Sequence, residues 1–157
     1  MSASLVRYFH PRHGARTGLL HASTVYDLSP QFNSIAEWLR ASVNRVAFAV
    51  KEAHDIAQTS ALQFDASLFD NSPAPDVPHW LAPVDMQDVW ASGVTYTISR
   101  SARQEEAIDG GDVYARIYDA PRPELFFKAQ GRQVVGHLDT VGIRHDTCSR
   151  TRPAPLV

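Results

Sequence analysis

Residues 5–28, LVRYFHPRHGARTGLLHASTVYDL, decide the fold of the first part of the chain. Two runs rich in β-branched and aromatic residues, LVRYFH (5–10) and RTGLLHASTVYDL (16–28), flank the turn-forming PRHG at 11–14. Proline presets φ and glycine tolerates a left-handed backbone, so this punctuation separates strands. A second turn at Ala22 to Thr24 splits the later run. The stretch therefore predicts two or three strands of a small sheet, the last carrying Val25, Tyr26 and Leu28.

Working outward, Ser34 followed three residues later by Glu37 is a capping box. Ile35, Trp38, Leu39, Val43, Val46, Val50, Ala53 and Ile56 recur at three- and four-residue steps. That spacing predicts one helix from Ser34 to about Ala57, with this stripe packed on the sheet. ALQFDASLF (61–69) reads as a further strand. Residues 1–70 are thus expected to form a small α+β domain. Residues 71–85 read as a Pro-rich linker, since Pro73, Pro75, Pro78 and Pro83 deny backbone donors and favour an extended path. Trp80 and Leu81 inside that linker argue that it lies against a surface. Beyond it the sequence predicts a helical turn in DMQDVWASG, a β-like GVTYTIS, helices in SRSARQEEA and DVYARIYDA, and a strand in ELFFKAQ. There is no internal repeat.

The whole chain has 157 residues, 44% apolar and 20% charged, enough to bury a core. No apolar run approaches the eighteen or so residues of a membrane span. The start, MSASLVRYFHPRHG, breaks any secretory apolar stretch with Arg7, His10, Arg12 and His13, so a cytoplasmic location is expected. A net charge of -2 gives no field for nucleic acid. The cations are lopsided, thirteen Arg against Lys51 and Lys128, which makes Lys128 informative. Cys148, the single cysteine, can form neither an internal disulfide nor a thiolate zinc cage. His10 and His13 have a spacing that could meet on a metal in a helix, but Pro11 and Gly14 make the segment a turn whose rings face solvent. Gly110-Gly111 reads as a helix stop, not a phosphate loop.

The string from Val89 to Lys128 is distinctive. It holds Gly93-Val94-Thr95-Tyr96, then Arg100 with Glu105 and Glu106, then Tyr118-Asp119-Ala120, Arg122-Pro123-Glu124 and Phe126-Phe127-Lys128. With VVGH at 134–137 and IRHDT at 143–147, it resembles the fumarylacetoacetate hydrolase family, and within it the 2-keto-3-deoxy sugar-acid (arabinonate-type) dehydratase branch. The resemblance covers roughly residues 80–147. It implies that 86–147 open a mixed β-rich catalytic fold, with 148–157 a divergent tail. It also implies a lyase or hydrolase acting on 2-oxo acids in sugar-acid catabolism, in which Mg²⁺ or another divalent cation polarises the keto oxygen while a base removes a C3 proton. A homodimer is a family expectation only.

On this resemblance Arg100, Tyr96 and Ser99 are the candidate substrate-binding residues, and Glu106, Glu105 and Lys128 the candidate catalytic ones. Each has a plainer reading. Arg100 can be a solvated helix cation, and Lys128 an ordinary strand-end lysine whose ammonium alternation puts opposite Phe127. Adjacent Glu105 and Glu106 diverge by about 100° on a helix, so only one can face a pocket. Arg100, Lys128 and one of the glutamates are expected to converge on one concavity.

In the family that the string resembles, three carboxylates hold the ion, two in a Pro-Glu-Pro-Glu-Leu type motif a few residues beyond the Asp-Ser that Asp146-Thr147 resembles and a third further along. After Asp146 this sequence has no carboxylate side chain, and Arg150 and Arg152 stand in that region instead. Two cations cannot replace two oxygen anions around a hard ion, so this chain is expected to bind none and to be inactive alone. Were Ser149 to Pro153 encoded TCC CGA ACC CGA CCT and followed by G, the next frame would read Pro-Glu-Pro-Asp-Leu, so an interrupted gene is one expectation. The rival from another class is a non-enzymatic small-molecule binding or interaction domain.

Overall fold

The computed structural model describes residues 3–92, 121–122 and 125–142. Its first part is α+β. Strands β1 (Ala3–His10), β2 (Gly14–His21), β3 (Thr24–Asp27), β4 (Gln63–Asp65) and β5 (His79–Trp80) form one antiparallel sheet in the order β4-β3-β2-β1-β5. Local connections explain the centre of the sheet. The amide of His13 donates to His10 O at 2.9 Å, and Gly14 takes φ 72°, closing the first hairpin at the predicted turn. The second closes through Ala22-Ser23, with Ala22 at φ 54°.

Register sorts the side chains onto two faces. Leu5, Leu19 and Tyr26 meet the helices, whereas Val6, Tyr8, Leu20 and Val25 meet Phe64, Phe69 and Trp80 on the opposite side. Both faces are therefore covered. Gly18 makes room for this packing, because a Cβ there would stand 2.9 Å from Val25 and 3.1 Å from the Tyr8 ring. The Tyr8 hydroxyl donates to Asp27 at 3.0 Å, and Arg16 forks onto the same carboxylate at 2.5 and 3.2 Å. Burial first, and the Asp27 charge second, push the Tyr8 hydroxyl far above its ordinary range.

The predicted single helix is two helices, α1 (Ile35–Ser42) and α2 (Val46–Thr59). Asn44 lies between them at φ 60°, a left-handed conformation that asparagine tolerates and that ends a helix. The break turns the expected stripe away from the sheet. Ile35, Trp38 and Ala53 are buried and Ile56 is half-buried, but Leu39, Val43, Val46 and Val50 are exposed. Instead Ala49, Ala53 and Ala57 form the buried edge of α2, where short side chains let the helix lie close to the strands. The predicted strand at 61–69 is also shorter. It pairs only over Gln63–Asp65 and then turns into a 3₁₀ helix, Ala66–Phe69, started by the Asp65 carboxylate accepting from Ser67 N at 2.9 Å.

Residues 70–87 run back along the domain. His79 and Trp80 pair with Phe9 and Tyr8 as β5. Arg7 then donates to Ala82 O at 3.2 Å and Val84 O at 2.8 Å, and stands 3.6 Å from Asp85. Asp85 accepts from Ile35 N at 2.7 Å and Ala36 N at 3.2 Å, while Ser34 accepts from Glu37 N at 3.0 Å. These bonds satisfy the amides that open α1, with Glu37 reaching back to Asn33 N at 2.9 Å.

DMQDVWASG was expected to contain a helical turn, but it forms strand β6 (Asp88–Ser92), paired antiparallel with β7 (Leu125–Gln130). The competing force is long-range pairing with a β-prone partner, which overrides local helical spacing. A 3₁₀ turn, Gly131–Gln133, follows β7. Among the described residues no helix is long and apolar enough to cross a membrane.

Candidate functional site

The β6–β7 ribbon carries the one candidate site residue among those described. Its root is fixed by close backbone contact. Gly131 N donates to Gln87 O at 2.8 Å, and a Cβ on Gly131 would stand 2.5 Å from Asp85 O. A Cβ on Gly136 would stand 2.6 Å from Trp80 O. Both positions need a residue without a side chain. His137 meets Asp70 at 2.8 Å, tying the segment after the ribbon to the end of the 3₁₀ helix Ala66–Phe69. Asp85, Asp88, Gln130 and Arg132 line an open cleft of 170 Å³ at this root.

Above the root the register slips. Val89 faces Ala129 and Trp90 faces Phe127, so Lys128 has no partner in the register and occupies a β-bulge. Bulges bend a strand and re-aim a side chain, and they are enriched beside active sites. The bulge interrupts the strict alternation on which the expected face of Lys128 rests. Lys128 is exposed. Its neighbours are apolar and exposed as well: Trp90 and Phe127 meet edge-to-face with ring centres 6.2 Å apart, Leu125 is exposed on the same face as Phe127, and Phe126 is exposed on the other.

Arg100, Tyr96, Ser99, Glu105 and Glu106 lie outside the described residues, as do the predicted GVTYTIS strand and the helices in SRSARQEEA and DVYARIYDA. So does the expected convergence of Arg100, Lys128 and a glutamate. Among the described residues no three His, Cys, Asp or Glu side chains come together as metal ligands. Asp85, the most buried carboxylate near the ribbon, is already engaged by the helix amides and Arg7. The described residues therefore do not fit a hard divalent ion held by three carboxylates. Sequence reasoning missed the bulge at Lys128 and the clamp role of Asp85. The first depends on partner register, and the second on a contact between residues 50 apart in sequence.

No family model and no solved structure matches the chain. Two curated proteins do. The chain is 36% identical over 134 residues to "Probable 2-keto-3-deoxyxylonate dehydratase" of Haloferax volcanii, a match covering 80% of this chain and 41% of that protein. It is 40% identical over 76 residues to 2-dehydro-3-deoxy-D-arabinonate dehydratase of Saccharolobus solfataricus, covering 46% of this chain and 25% of the relative. The chain thus spans less than half the length of either relative, and what it shares with them is similarity to dehydratases named for 2-keto-3-deoxy sugar acids.

Proposed function

We propose that this chain is the N-terminal portion of a fumarylacetoacetate hydrolase-type lyase that removes water from 2-keto-3-deoxy sugar acids, and that it does not turn over substrate alone. The observation that carries this reading is the 36% identity over 134 residues to a protein named as such a dehydratase. The bulge that presents Lys128 supports it further. In this reading the Lys128 ammonium and the Arg100 guanidinium pair with the substrate carboxylate, and Tyr96 and Ser99 line the pocket. Glu106, or its neighbour Glu105, takes the C3 proton. The C3–H electron pair forms the new double bond as the C4–O bond breaks, and the departing hydroxyl takes up the proton held by that glutamate, so that one water leaves and the carboxylate is restored. The resemblance attaches a magnesium-type ion to this chemistry, but the described residues do not fit one, and no step is assigned to it.

The test is to incubate the purified chain with 2-keto-3-deoxyxylonate and 2-keto-3-deoxyarabinonate, with and without magnesium, and to follow water loss by NMR. The expected result is no turnover, with substrate-dependent shifts of the Phe127 and Ala129 amide signals that Lys128→Met abolishes. Magnesium-dependent turnover would reject inactivity while supporting the dehydratase assignment. Absence of both turnover and binding would overturn the reading in favour of a non-enzymatic interaction domain.

A further inference from the structure

A second cleft, of 340 Å³, lies between α2 and the sheet, away from the ribbon. Leu19 packs on Ala53 and Ala57, which sets the end of β2 against the flank of α2. His21, two residues beyond Leu19 on the same strand face, therefore meets His54, the residue after Ala53. Their rings stand edge-to-face with centres 5.9 Å apart. Neither ring has a hydrogen-bond partner among the described residues, although both are half-buried. Gln58, one helical turn beyond His54, and Gln63 on β4 line the same cleft. The Gln63 amide nitrogen donates to Ser60 O at 3.1 Å, leaving its carbonyl oxygen as a donor to a cation. No Lys or Arg lines the cleft among the described residues.

We propose that His21 and His54 form a two-imidazole site for a borderline divalent transition ion such as Zn²⁺, Ni²⁺ or Cu²⁺. Metal–nitrogen bonds of about 2.0–2.1 Å place the ring centres of two imidazoles on one ion roughly 5–6 Å apart, which is where this pair stands. Imidazole nitrogen selects this group of ions over magnesium. No third His, Cys, Asp or Glu joins the pair among the described residues, so the Gln63 amide oxygen and water complete the shell and binding is moderate. The competing pair, His10 and His13, has ring centres 4.8 Å apart but a less suitable field. Arg12 N already donates to His10 Nδ1 at 3.2 Å. Burial, the His13 ring and the Arg12 charge hold His10 below its ordinary pKa, and the same positive surroundings oppose a metal ion.

The whole chain is titrated with ZnCl₂ and with CuCl₂ by calorimetry, beside His21→Ala, His54→Ala and the double variant His10→Ala/His13→Ala. One equivalent is expected in the parent and the double variant, with affinity weakened about tenfold or more in each single variant. Unchanged affinity in the single variants, or loss in the double variant, overturns the site. Substoichiometric Cu²⁺ added to the unmutated chain supplies a readout independent of variant folding. The ring proton signals of His21 and His54 should broaden before those of His10 and His13, and the reverse order also overturns the proposal.

Discussion

The five-stranded sheet and the β6–β7 ribbon are both antiparallel and both rich in aromatic residues, yet their side chains meet different fates. In the sheet Tyr8 and Val25 are fully buried, because Phe69 of the 3₁₀ helix Ala66–Phe69, with Phe64 and Trp80, closes one face and the two helices close the other. In the ribbon Trp90, Leu125 and Phe127 are each more than half exposed. The difference lies in what covers each surface, not in composition. A two-stranded ribbon is marginal by itself, and among the described residues this one is secured at its root, where Gly131 and Gly136 lie against the 80–87 backbone.

The comparison breaks most directly at Trp38. It is 7% exposed, and Trp38→Ala should destabilise the chain by about 3–5 kcal/mol in chemical denaturation. A loss below about 1 kcal/mol would mean that the helical layer does not close the sheet. Asp85→Ala comes next. It removes the acceptor for two helix amides and leaves Arg7 without its carboxylate, so a loss of about 2 kcal/mol is expected, with faster amide exchange at Ile35 and Ala36. Unchanged exchange at those amides would show that the cap is dispensable. The smallest effect belongs to the ribbon. Phe127→Ser should change stability by less than about 1 kcal/mol, since the ring is 52% exposed. A cost as large as that of Trp38→Ala would reveal cover over the ribbon and erase the contrast.

Much of the sheet was legible because its central pairings are local. The PRHG turn and the split after His21 mark the hairpins directly, and Ser34 marks the start of α1. The helix break was hidden because Val43, Val46 and Val50 continue a three-to-four spacing through Asn44. Asparagine interrupts that pattern only by adopting a left-handed φ. The buried edge of α2 was hidden for a related reason. Ala49, Ala53 and Ala57 are small residues in an alanine-rich segment, whereas pattern reading weights bulk, and large side chains there would hold the helix away from the strands. Strand β6 was missed because its partner lies beyond a long intervening segment. At the candidate site, Lys128 stands out in the sequence because lysine is rare in this chain and here ends an aromatic run. Its bulge is set by how two distant strands align, which neither strand encodes alone.

The Asp85 clamp also carries a consequence for the order of folding. Ile35 waits for a carboxylate 50 residues downstream, and Arg7 for carbonyls 75 and 77 residues away. During synthesis the two hairpins can close as soon as they emerge, whereas the first turn of α1 keeps unsatisfied amides until Asp85 has left the ribosome. Closing that long loop carries an entropic cost before the clasp contributes stability, so docking of α1 should follow the hairpins. A nascent chain ending before Asp85 would hold its strands together while the helical layer remained loose.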